Sequence, residues 1–159
     1  MSRTLLIRAA ATLVLVTCLS HTVGTFITVP PEQVAMHATI ATMKATMVPM
    51  PVGAARSYMQ ILDGNNLCTS LFLLVCAALL FSIASLPSAP FTNRVILIAA
   101  LALAGFAIVS AMYFFPIPTI FTGLASVLAI IEFLWRVKRL PISAWAHTLS
   151  AKFSMKGRK

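Results

Sequence analysis

Few side chains of this 159-residue chain could carry out acid–base chemistry, since 60% of its residues are hydrophobic and 9% are charged. Its only acids are Glu32, Asp63 and Glu132, and its only histidines are His21, His37 and His147. A histidine beside an aspartate is held in one tautomer, which suits a proton shuttle or a general base. His21 and Asp63 are therefore the candidate catalytic pair.

The spans described below place several polar side chains near one membrane surface, where they could line a pocket. The candidate ligand-binding residues are His21, Arg56, Asp63, Asn65, Asn66 and Tyr113. Two structural interpretations stand beside this one. The run from Asp63 to Asn66 is also typical of a helix start, where the helix dipole favours an acid. His21 could instead bond to a neighbouring helix and stabilise the bundle.

Four apolar stretches are long enough to cross a bilayer as helices, which takes about 20 residues each. They cover 9–27, 67–86, 95–115 and 117–135. Prolines interrupt the chain after the second and the third stretch, so consecutive helices are predicted to be antiparallel neighbours. The sequence thus predicts one all-α domain over 1–159, a four-helix transmembrane bundle whose principal partner is the lipid bilayer.

The basic residues are divided unequally between the two ends of this bundle. The loop 28–66 holds only Lys44 and Arg56 of the 12 Lys and Arg, and seven of the others lie in the tail 136–159. The positive-inside rule then predicts cytoplasmic termini and an outward-facing loop. Basic residues beside an apolar span are typical of an anchor on anionic lipid, so no nucleic-acid partner is predicted.

The first span has an alternative interpretation as a cleaved signal peptide, because Arg3 and Arg8 precede its apolar run. That run continues past Cys18 to Ile27, whereas a signal-peptide core has about 7–15 residues. The length therefore favours a retained span.

Two further helices are predicted outside the spans. Apolar side chains at helical spacing predict an outer amphipathic helix over 33–48, and a second set predicts a basic interfacial helix in the tail. These two stripes are Met36, Ile40, Met43 and Met47, then Ile142, Trp145, Leu149 and Phe153. Methionines and His37 in the loop could hold Cu(I), but they lack a repeated motif and Pro49 interrupts them, which favours gap filling at an apolar interface, and no metal site is predicted.

Residue spacing within the spans predicts one ion pair, excludes one disulfide and indicates which helices pack closely. Glu132 and Arg136 are four residues apart in the fourth span, which predicts an ion pair on one helix. Cys68 and Cys76 are about 12 Å apart along the second span, too far for a disulfide. Small residues such as Ala100 and Ala104 predict close packing of the last two helices.

Short fragments of the chain resemble a known group of membrane proteins. The fragments are His21–Thr25, Arg56–Tyr58 and Asp63–Leu67. They are similar to the pattern of small bacterial four-span proteins of the broad DoxX-like group, which often place a His late in the first helix. Those proteins also often carry an Arg-Ser and then a Gly-x-x-Leu before the second helix. The resemblance implies an integral membrane protein of undefined activity.

Function is less constrained than location. No phosphate-binding, dinucleotide-binding, nucleophile-elbow or zinc-protease motif is present, and no cofactor is predicted. The leading hypothesis is a non-enzymatic component that binds an apolar small molecule or a membrane-protein partner between its helices. The alternative is a small membrane enzyme or redox accessory that uses His21 and Asp63. A channel or transporter would require a homo-oligomer. An apolar cavity without a bonded His21–Asp63 pair would favour the first hypothesis.

The predicted orientation can be tested by labelling. In a chain whose own cysteines are replaced, Lys44→Cys should react with a membrane-impermeant maleimide on intact cells, because the loop faces outward. Arg139→Cys should react only after the cells are permeabilised. Reaction of Arg139→Cys from outside would contradict this orientation.

Overall fold

The computed structural model describes residues 4–113 and 116–139, and these are mostly helical. The helices are α1 (Leu5–Phe26), α2 (Val34–Ala45), α3 (Tyr58–Ala84), α4 (Pro90–Tyr113) and α5 (Pro116–Lys138). Two short antiparallel strands, β1 (Met47–Val48) and β2 (Arg56–Ser57), lie between α2 and α3. The other four helices, α1 and α3 to α5, are each long and apolar enough to cross a membrane. The predicted all-α bundle is confirmed, and the chain is a multi-pass membrane protein.

Helix α3 begins at Tyr58, well before the predicted start at residue 67, because a capping box precedes it. The Gln60 backbone N–H donates to Ser57 Oγ at 3.2 Å, and the Ser57 backbone N–H donates to Gln60 Oε1 at 3.0 Å. Two backbone donors that the first turn leaves unsatisfied are thereby paired. The interpretation of Asp63 to Asn66 as a helix start is therefore wrong, since these residues lie inside α3.

The predicted loop helix is confirmed as α2, over a shorter range than 33–48. Ile40 and Met43 are half-buried, whereas the other residues of α2 are exposed. Met36 and Met47, which belong to the same predicted stripe, are exposed as well. The predicted basic tail helix falls beyond Arg139, outside the described residues.

The four spans form a ring with three close seams and one loose seam. Helix α1 packs along α3 and α5, and α4 packs along α5. Helices α3 and α4 contact each other at few positions, although a short turn over 85–89 joins them. Consecutive helices are thus close neighbours for α4 and α5, but only weakly so for α3 and α4. We call the end that carries residues 27–57 the loop end and the end that carries residues 85–89 the turn end.

Small residues close the seam between α4 and α5. Ala100 is fully buried there, Gly123 of α5 faces Ala107 of α4, and Ser126 Oγ donates to the Ala100 carbonyl at 2.8 Å. Small side chains let two helix backbones approach, and a hydroxyl can then reach across. The predicted close packing of the last two helices is confirmed.

A buried ion pair holds the turn end together. Arg136 Nε donates to Glu132 Oε1 at 2.9 Å, and both side chains are 8% exposed. The guanidinium also donates to the Leu86 carbonyl at 3.1 Å and to the Ala84 carbonyl at 3.4 Å. These carbonyls are at the end of α3, where no helical N–H is available to them. The predicted Glu132–Arg136 pair is confirmed, and it also caps a second helix.

Arg136→Met should destabilise the protein by about 3–5 kcal/mol, because it leaves Glu132 buried without its cation. Adding Glu132→Leu should restore part of that loss, since an apolar pair of similar volume can replace a buried ion pair at little cost. Reversible unfolding in mixed micelles would measure both changes.

Lys138→Met is the matched control, because Lys138 is exposed at the same end of α5. An Arg136→Met protein as stable as this control would contradict the role given to the pair.

Candidate ligand cavity

A cavity of about 380 Å³ lies at the loop end between the four spans. Ligand pockets in proteins occupy about 300–1,000 Å³, so this one is large enough for a small ligand or part of a lipid. Each of the four spans contributes to its wall. The lining residues are Thr17, Ser20, His21, Asn65, Thr69, Leu73, Phe106, Val109, Ser110, Tyr113, Ile117, Pro118 and Phe121.

The cavity lies where α3 and α4 do not pack closely. Phe72 of α3 and Phe106 of α4 stack across this seam, with ring centroids 6.1 Å apart and planes inclined by 22°. Two facing phenylalanines keep the helix backbones farther apart than facing alanines would. Phe106 and Leu73 also line the cavity, and they are its deepest residues on α4 and α3. Leu73 and Phe106 thus form the floor of the cavity.

The walls leave the cavity open. Val109 is 49% exposed and Tyr113 is 73% exposed, although both line it. Tyr113 is the last residue of α4, whereas Phe106 lies about 10 Å deeper along the same helix. The cavity therefore extends from the loop end about 10 Å toward the middle of the bundle.

Hydrogen bonds between α1 and α3 fix the polar wall of the cavity. His21 Nε2 lies 3.2 Å from the Asn66 backbone carbonyl. Thr22 Oγ1 donates to Ser70 Oγ at 3.0 Å, and Cys18 Sγ donates to the Ser70 carbonyl at 3.3 Å. Polar side chains commonly join membrane helices in this way. The interpretation of His21 as a residue that bonds across helices is confirmed.

Several polar side chains in the wall have no hydrogen-bond partner in the part of the chain that the structure describes. Ser110 is buried, at 1% exposure, whereas Ser20, Asn65 and Tyr113 are exposed. Thr17 differs, because its hydroxyl donates to the Leu13 carbonyl of its own helix at 2.9 Å. Ser110 does not form this common helical bond within the described residues, so its hydroxyl remains available to a ligand.

The structure brings together only part of the predicted site. His21, Asn65 and Tyr113 line the cavity, and Asn66 is joined to His21 through its backbone carbonyl. Arg56 lies instead at a separate, shallow depression with Met50, Gln60, Ile61 and Gly64. Asp63 is half-buried and does not line the cavity.

The proposed catalytic pair is not bonded. Among residues 4–113 and 116–139, the ion pair formed is that of Glu132 and Arg136, and none joins His21 to Asp63. The same residues also contain no group of three His, Cys, Asp or Glu side chains that could hold a metal ion. The arrangement is the one that the binding hypothesis requires, an apolar cavity without a bonded His21–Asp63 pair.

Sequence reasoning missed the cavity residues of α4 and α5 other than Tyr113. The sequence places Phe106 and Phe121 only in apolar spans, and it places Ser110 near the outer end of the third span without assigning it to the site. An apolar residue in a span gives no sign of whether it faces lipid, another helix or a cavity. Ser110 offers a weak signal, since it is a polar residue within the otherwise apolar run 95–112.

Comparison with protein-family models, with curated proteins and with solved structures finds no match for this chain. The resemblance to DoxX-like proteins therefore stays a prediction, and the function has to be argued from the cavity itself.

His21→Ala should lower the free energy of unfolding by about 0.6 kcal/mol and by no more than about 1.7 kcal/mol, the range of hydrogen bonds between membrane helices. Thr12→Ala is a suitable control, because the Thr12 hydroxyl is exposed and bonds to Arg8 of its own helix. Unfolding of the two variants in the same micelles would measure the difference. A His21→Ala protein no less stable than the control would contradict the assigned contact.

Proposed function

We propose that this protein binds an apolar small molecule drawn from the bilayer, in the cavity at the loop end. The observation that carries the proposal is the cavity, which four membrane helices line and whose floor is Leu73 and Phe106. Apolar ligands in membranes bind where helices leave a gap that lipid or ligand must fill, because an empty apolar gap forfeits dispersion contacts.

The loose seam between α3 and α4 offers a path into the cavity from the side. These two helices contact each other at few positions, while the other three seams are close. Val109 lies on α4, lines the cavity and is half exposed, so a molecule in the surrounding lipid can reach it. A ligand dissolved in the bilayer therefore need not pass through water to bind.

The alternative, a membrane enzyme or redox accessory, requires His21 and Asp63 to act together. Such an enzyme would lose activity in His21→Ala without loss of fold. Among the described residues, His21 contacts the Asn66 carbonyl and forms no ion pair with Asp63, so the pair that this alternative requires is not formed. We propose cytoplasmic termini on the distribution of basic residues, and a bacterial inner membrane on the resemblance to DoxX-like proteins.

Filling the cavity should abolish ligand binding. Val109→Trp places an indole in the wall, so a photoreactive long-chain alkane in lipid nanodiscs should label it at least roughly tenfold less than the wild type, as expected for a loss of about 1.4 kcal/mol. Labelled peptides identified by mass spectrometry would report the amount and the position of labelling.

Val127→Trp is the matched control, because Val127 is 51% exposed, close to the 49% of Val109, but does not line the cavity. This control should be labelled at the cavity as strongly as the wild type. Labelling spread evenly over lipid-facing residues in all three proteins would show that the cavity holds no ligand.

A further inference from the structure

The polar groups of the cavity carry information about the ligand beyond its apolar character. We infer, resting on the proposed function, that the ligand is an uncharged amphiphile whose single polar group hydrogen-bonds to Ser110 and its polar neighbours. Its apolar part would lie against the floor formed by Leu73 and Phe106.

The first observation concerns charge. Within residues 4–113 and 116–139, the lining of the cavity includes His21 but no Asp, Glu, Lys or Arg. A charged group moved into an apolar site without a counter-ion loses its hydration and gains no compensating attraction. Carboxylates, sulfates and quaternary amines are therefore poor ligands for this wall.

The second observation is unused hydrogen-bonding capacity. Within the described residues the Ser110 hydroxyl has no partner although its side chain is almost fully buried. Buried polar groups in proteins nearly always have a partner, and each exception calls for one. A hydroxyl or carbonyl on a ligand would supply it.

The third observation is the division of the wall along the membrane normal. On α3, Asn65 lies nearer the loop end than Leu73, and on α4, Ser110 lies nearer the loop end than Phe106. On these two helices the polar groups therefore lie nearer the loop end and the apolar groups lie deeper, while α5 contributes apolar residues such as Ile117 from its first turn. A long-chain alcohol or a neutral acylglycerol has this order, with its polar group toward the interface.

The experiment compares photoreactive probes with one long chain and different ends: a plain alkane, a primary alcohol, a sulfate and a trimethylammonium. Each is added at equal mole fraction to nanodiscs that hold the full chain. The alcohol should label the cavity most strongly, and the two charged probes should label it at least roughly tenfold less than the alcohol. Ser110→Ala should lower labelling by the alcohol roughly fivefold, which corresponds to one hydrogen bond, and leave labelling by the alkane unchanged.

Ser82→Ala is the control, because Ser82 is exposed on α3 and its hydroxyl bonds to the Ala78 carbonyl of the same helix. Its labelling should equal that of the wild type with every probe. Charged probes that label as strongly as the alcohol, or a Ser110→Ala protein that the alcohol labels normally, would overturn the inference while the alkane still supports the proposed function. Failure of all the probes, including the alkane, would overturn both.

Discussion

Close approach of small side chains is the constraint on which the rest of this structure depends. Membrane helices gain little free energy when their apolar side chains leave lipid for another helix. Dispersion contacts between helices whose backbones can approach each other closely therefore decide which helix faces meet. Gly123 of α5 faces Ala107 of α4 closely enough that an added Cβ would lie 3.8 Å from the alanine methyl. The seam between α3 and α4 has Phe72 and Phe106 in contact instead. The ring closes on three sides and stays loose on the fourth, and the cavity is the consequence.

The two ends of the bundle differ in whether their buried polar groups have partners. At the turn end, Glu132 and Arg136 are buried together, and the guanidinium also satisfies carbonyls at the end of α3. The Arg136 guanidinium thus joins the end of α3 to α5, and a short turn joins α3 to α4, so these three helices are tied together at the turn end. Toward the loop end, the buried hydroxyl of Ser110 lines the cavity and has no partner among the described residues.

The sequence predicts the elements of this fold better than its site, and the reason is physical. Length and hydropathy specify a membrane span, and a spacing of four specifies a pair such as Glu132 and Arg136. The spacing of Ser57 and Gln60 is that of a capping box, which marks the start of α3 at Tyr58. Hydropathy marks only the apolar run, which begins at residue 67, so it predicts a later start. Which face of a wholly apolar helix meets a cavity depends on how other helices pack. No pattern within α4 encodes that Phe106 meets Phe72.

The cavity cannot be filled well by water alone, and this is why its chemistry points to an amphiphile. Its volume of about 380 Å³ would hold roughly a dozen waters, each of which needs two to four polar partners. Ser20, Asn65 and Ser110 could supply such partners near the loop end, but Leu73 and Phe106 on the floor could not. Apolar cavities stay dry, whereas an unpaired buried hydroxyl is costly in a dry site. A molecule with one uncharged polar end can bond to the polar wall and also pack against the apolar floor. Neither water nor a plain hydrocarbon does both.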